Sequence, residues 1–105
     1  MYKSICVDLC VKGSNLARFL SEEKNEKLLS EKLFSSICEL SKYCYNLDSP
    51  SLSKADSATF RKNALCEHGS ILMYLETLYI AGYISSAQKD SMTSTLNTLK
   101  KQANI

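Results

Sequence analysis

Apolar residues recur every three or four positions along this chain, with polar residues filling the gaps. That is the period of an α-helix, and it holds almost throughout. The longest such stretch runs from Lys54 to Ser85. Within it Ala64, His68, Ile71, Leu75 and Leu78 alternate in steps of four and three, and Leu65, Leu72 and Tyr79 form a second row beside them. The two rows predict an apolar stripe wide enough to pack against two or three other helices. A helix over 54–81 would be roughly 40 Å long, so the rest of the chain must lie along it. Gly82 offers the left-handed residue that ends such a helix. Ser85 and Gln88 then have the spacing of a capping box that opens the next one.

The same period places three more elements. A first helix is expected over 3–19, with Ile5, Cys6, Leu9, Cys10, Gly13, Leu16, Ala17 and Leu20 on one face and Val7 and Val11 outside it. Glycine inside a helix costs up to about 1 kcal/mol against alanine, so Gly13 points to the close approach of a neighbour. Ser21 is a favoured N-cap residue, and Glu22 and Glu23 suit the positive end of a helix dipole. The second helix is therefore expected over 22–46, with a stripe of Leu29, Leu33, Ile37, Leu40 and Cys44 and with Leu28, Phe34, Tyr43 and Tyr45 off it. Asp48-Ser49-Pro50 marks a loop, and Ser53 caps the long helix. A fourth helix over 86–101 has Ala87, Met92, Leu96 and Leu99 as its inner edge. Its serines and threonines make it depend on packing. Four amphipathic helices on short connections predict an all-α fold, an up-and-down antiparallel four-helix bundle formed by 1–105 as one domain.

Composition narrows the function classes. The chain has 105 residues, 45% of them apolar, which argues against disorder. No apolar run approaches the roughly 20 residues needed to span a bilayer, and no signal-peptide layout opens the chain. No membrane role and a cytoplasmic location are the expectations. Five cysteines without a Cys-x-x-Cys pair read as reduced thiols. Cys66 and His68 with Cys6 and Cys10 lack the usual zinc spacings, so no metal and no cofactor are expected. Cys66 and His68, two apart, point to different sides of a helix and do not make a nucleophile and its base. Glu76, inside an apolar stretch, reads as a rim carboxylate paired with a lysine.

The net charge of +2 arises wholly after residue 50, where six basic residues face four acidic ones. Those six, Lys54, Arg61, Lys62, Lys89, Lys100 and Lys101, are the candidates for phosphate contact, which would be salt-sensitive and indifferent to base sequence. The bland reading is an ordinary solvated face. Tyr43, Tyr45 and Tyr74 can stack on bases or fill a subunit interface. Val7, Val11, Phe34, Tyr45 and Met73 lie off the core stripes and favour self-association, most simply a ring closed by one heterologous interface.

Three short motifs carry a resemblance. They are Leu20-Ser21-Glu22-Glu23-Lys24, Ser53-Lys54-Ala55-Asp56 and Tyr83-Ile84-Ser85, with Ala64, Leu65, Glu67, Leu75, Glu76, Leu78 and Tyr79 in register between the last two. The layout resembles the four-helix-bundle proteins named for reading frames in intervening sequences of bacterial 23S ribosomal RNA genes. The middle of the second helix, Ser36 to Cys44, departs from that family's usual motif. With Leu29-Ser30-Glu31-Lys32-Leu33 it looks more like a related branch, the accessory variability determinant proteins of diversity-generating retroelements. The resemblance implies a homopentamer and no enzymatic activity. It also implies partners: RNA or DNA and a reverse transcriptase on the retroelement side, or only proteins on the other.

Overall fold

The computed structural model describes residues 2–105. Its elements in chain order are α1 (Lys3–Glu22), α2 (Leu28–Tyr45), α3 (Lys54–Ile80) and α4 (Ser86–Ala103). Among the described residues there is no strand, and the fold is all-α. Successive helices run antiparallel, as the pairings across each seam show. Gly13 lies against Phe34 and Ile37, and Ser30 bonds the Ala17 carbonyl. Tyr43 meets Phe60 edge-to-face at 5.4 Å, Glu76 pairs with Lys89, and Lys12 donates to Thr95. Each helix thus touches the one before and the one after it, and α4 closes back on α1. The α1–α2 and α2–α3 seams are the tightest. The molecule measures 43 × 21 × 19 Å, set by the length of α3.

The core is the set of stripes brought together. Leu9, Leu20, Leu33, Ile37, Leu40, Ile71, Leu75, Leu78, Leu96 and Leu99 are fully enclosed. Ala87 stands outside it, exposed over a shallow α1–α4 groove, although the pattern of α4 suggested an inner position. The second row on α3 also departs from expectation. Leu72 is half-buried, but Leu65 and Tyr79 face outward. A helix with apolar residues all round presents more apolar surface than two neighbours can cover.

Helix ends follow local chemistry in three places. Ser53 Oγ accepts from the Asp56 amide at 3.0 Å. Ser85 and Gln88 make both bonds of the capping box. Past α3, Gly82 is left-handed at φ 83°, and the Tyr83 and Gly82 amides donate to the Leu78 and Tyr79 carbonyls. That is the Schellman arrangement.

The α1–α2 connection corrects the sequence reading. Ser21 and Glu22 continue α1 instead of starting α2, and α2 begins only at Leu28. Asn25 takes a left-handed φ of 52° and turns the chain. The Glu26 carboxylate, not the Ser21 hydroxyl, accepts from the first turn of α2, at the Leu29 amide. Burial of Leu20 draws α1 onward past the expected stop. At the other ends, α2 stops at Tyr45, α3 at Ile80 and α4 runs on to Ala103.

Gly13 and Gly69 make a matched test of packing. A Cβ on Gly13 would lie 2.9 Å from Ile37 Cδ1 and 3.1 Å from its Cγ2, and Ile37 is itself fully enclosed. Gly13→Ala should therefore lower the urea unfolding free energy by about 1–3 kcal/mol. A Cβ on Gly69 meets nothing within 4 Å. Gly69→Ala should raise it by roughly 0.5–1 kcal/mol, because only helix propensity changes there. The same sign for both would show that α1 and α2 are not in this contact.

Candidate functional site

Antiparallel topology gathers one end of the bundle from four pieces. These are the start of α1, the end of α2 with the following loop, the start of α3 and the end of α4. Five of the six basic candidates sit there: Lys54, Arg61 and Lys62 on the first turns of α3, and Lys100 and Lys101 on the last turn of α4. Lys3 joins them, its ammonium 4.9 Å above the Tyr45 ring. Lys89 lies at the opposite end, where α4 begins.

Their surroundings differ. Lys54, Lys62, Lys100 and Lys101 are exposed. Arg61 is half-buried and serves structure: its Nη1 donates to the carbonyls of Ala103 at 2.6 Å and Asn104 at 2.8 Å. It neutralises the negative end of the α4 dipole. Lys89 is held 2.8 Å from Glu76 and 4.5 Å from the centre of the Tyr79 ring. The hydrogen bond that Lys89 donates to Glu76 raises the ammonium's pKa above its ordinary range. Glu76 is thus the rim carboxylate that the sequence suggested. Acids at the basic end include Asp48, Asp56 and Glu39, the last paired with Lys42 at 3.0 Å near the end of α2. Asp48 bonds the Tyr2 hydroxyl, whose pKa is pushed up to about 12 by burial first and this bond second. Asp56 faces the N-terminus of α3.

The residues assigned to self-association fall into two surfaces. Val7, Val11 and Tyr45 are exposed along a groove of about 550 Å³ between α1 and α2. Met73 stands on the outer face of α3. Phe34 belongs to neither. It is half-buried and packs toward Gly13 across the α1–α2 seam, so it is a packing residue within one chain. Leu65 and Ile80 extend the Met73 surface into a ridge along α3, and Leu28 is bare at the start of α2. The sequence reading placed Leu65 inside, set Leu28 off the second-helix stripe without assigning it to self-association, and passed over Ile80. The signal was present: Leu65, Met73 and Ile80 are eight and seven residues apart, hence on one face.

Tyr43 is occupied by Phe60, and Tyr74 is half-buried against the core. Cys66 is exposed and His68 buried, as their separation of two requires. Among the described residues no cluster of three or more His, Cys, Asp or Glu is placed to hold a metal ion, and no helix is long and apolar enough to cross a membrane.

No family model and no curated protein matches the chain. A solved structure from Bacteroides thetaiotaomicron, described as a protein of unknown function from the S23 ribosomal protein family, superposes with a TM-score of 0.90. The two sequences are 24% identical over 97% of this chain and 94% of that one. The likeness establishes a shared four-helix fold.

His68 gives a pH-dependent handle on the α3–α4 seam beside the basic end. Burial, and then the nearby Lys100 charge, lowers its pKa below the usual 6.5, and its Nε2 lacks a hydrogen-bond partner. A depressed folded value means that the unfolded chain takes up the proton first. Stability is complete above 6.5 and declines as pH falls from there toward the folded value. Urea unfolding between pH 7.5 and pH 5 should show this decline, and His68→Gln should flatten it. An unchanged slope in the variant would assign the decline to other groups.

Proposed function

We propose that the chain is a non-catalytic, self-associating scaffold that contacts RNA through its basic end. The observation that carries this reading is the convergence of Lys3, Lys54, Lys62, Lys100 and Lys101, all exposed, on one end of the bundle from three different helices. Phosphate contact needs such a clustered patch. Arg61 supports the patch by anchoring the last turn of α4, on which Lys100 and Lys101 stand. The apolar ridge of α3 and the groove beside Val7 and Val11 lie on different faces. Two unlike apolar faces on one chain suit a head-to-tail interface, and repetition around a ring multiplies each small basic patch. The resemblance to retroelement accessory proteins makes a reverse transcriptase the protein partner to try. The alternative, a purely protein-binding module, draws on the same apolar faces and needs no basic end.

Retention of a structured RNA should fall steeply between low and high salt. Lys100→Glu with Lys101→Glu should weaken low-salt retention at least about tenfold and make the salt dependence shallower. Lys24→Glu with Lys27→Glu, at the far end, should leave it unchanged. Equal losses in both double variants would mean nonspecific attraction to charge, and no RNA uptake at any salt would favour the protein-binding module.

Light scattering tests assembly separately. Val11→Glu and Met73→Glu should each reduce the solution mass, whereas substitution of Phe34 should act mainly on stability. A wild-type monomer at high concentration would remove self-association from the proposal.

A further inference from the structure

Four of the five cysteines form a row along the α1–α2 seam, and sequence spacing alone does not show it. Cys6 and Cys10 lie one turn apart on α1, and Cys38 and Cys44 lie on α2. Cys44 and Cys6 are deeply buried. Burial pushes their thiols up to about 12 and about 11, which makes both inert. Cys10 and Cys38 differ. Cys38 is exposed and Cys10 half-buried, and both line the α1–α2 groove. The Cys10 and Cys38 thiols are neighbours across the seam, on the two walls of that groove. One turn along α1, Gly13 brings the two helix backbones close, with room for no Cβ in front of Ile37. Close backbones are what a disulfide between helices requires.

We propose that Cys10 and Cys38 are a peroxide-oxidisable dithiol that forms a disulfide between α1 and α2. The more exposed Cys38 reacts first. Its thiolate attacks one oxygen of hydrogen peroxide, the O–O bond breaks, and Cys38 becomes a sulfenic acid as the other oxygen leaves as hydroxide, which takes up the proton lost by the Cys38 thiol and becomes water. The Cys10 sulfur then attacks the Cys38 sulfur, and the hydroxyl departs with the Cys10 proton as a second water. Two thiols lose two electrons and two protons, and one peroxide becomes two waters. At rest the pair is reduced. Burial, and then the neighbouring Cys10 and Glu39, hold the Cys38 thiol above its ordinary range, so little thiolate is present and oxidation is slow. The link would tie together two helices separated by the turn at Asn25 and would fix the floor of the groove beside Val7 and Val11.

The test uses the full chain carrying Cys66→Ser, because Cys66 is exposed and would form links between molecules. After hydrogen peroxide treatment, the intact mass should fall by two hydrogens, and non-reducing peptide mapping should join the Cys10 and Cys38 peptides. Dithiothreitol should reverse both changes, and the oxidised form should melt at a temperature higher by roughly 5–10 °C. Cys10→Ser should abolish the link and leave a Cys38 sulfenic acid that dimedone traps. A joined pair other than Cys10–Cys38, or a Cys38 sulfinic acid beside a free Cys10 thiol, would overturn the proposal. The pairing is internal to one chain and stands apart from the self-association reading. If the Cys66→Ser chain resists peroxide and the same chain carrying Val11→Glu reacts, a second copy covers the groove and the pairing holds. If both resist, it does not.

Discussion

The bundle depends on one close approach, that of α1 to α2 at Gly13. Ile37 sits where any other residue at position 13 would place its Cβ, so the helices meet backbone to side chain. Leu9 and Leu16, a turn to either side of Gly13 on α1, are buried. The groove lined by Val7, Cys10, Val11, Cys38 and Tyr45 runs along the outer side of that same seam. Its apolar lining and its facing thiols are consequences of how the seam closes.

The second constraint is topological. An up-and-down chain puts the start of α3 and the finish of α4 at the same end. Both carry basic residues, and one of them is used up locally. Arg61 satisfies the last carbonyls of α4 and so holds the lysines of that turn in place. Charge attraction and helix capping use the same residue type here. Only the distance to a carbonyl tells one use from the other.

Local chemistry was legible in the sequence and distant chemistry was not. Ser53, Gly82 and the Ser85–Gln88 pair work within a few residues of themselves, and each acts as its spacing implies. Ser21 misled because an N-cap residue is also acceptable in the last turn of a helix. The deciding facts were the left-handed Asn25 and the Glu26 carboxylate. Leu65 and Tyr79 misled because α3 is apolar on more sides than its neighbours cover. Phe34 was read as surplus because its partner, Gly13, lies on another helix. The partners of Arg61 lie 42 and 43 residues away, and Cys10 and Cys38 come to one groove across a whole hairpin. Such pairs become visible only when the helices are side by side.

Closure by α4 has a consequence for the order in which the bundle assembles. The α1–α2 and α2–α3 hairpins join neighbours in sequence, and each loses little loop entropy on forming. The α1–α4 seam joins residues such as Lys12 and Thr95, 83 positions apart. It is also a looser seam than the first two, with an open groove between Phe19 and Gln88. The first three helices can therefore condense as two tight hairpins sharing α2. The fourth docks onto a surface already made and is the first to leave it.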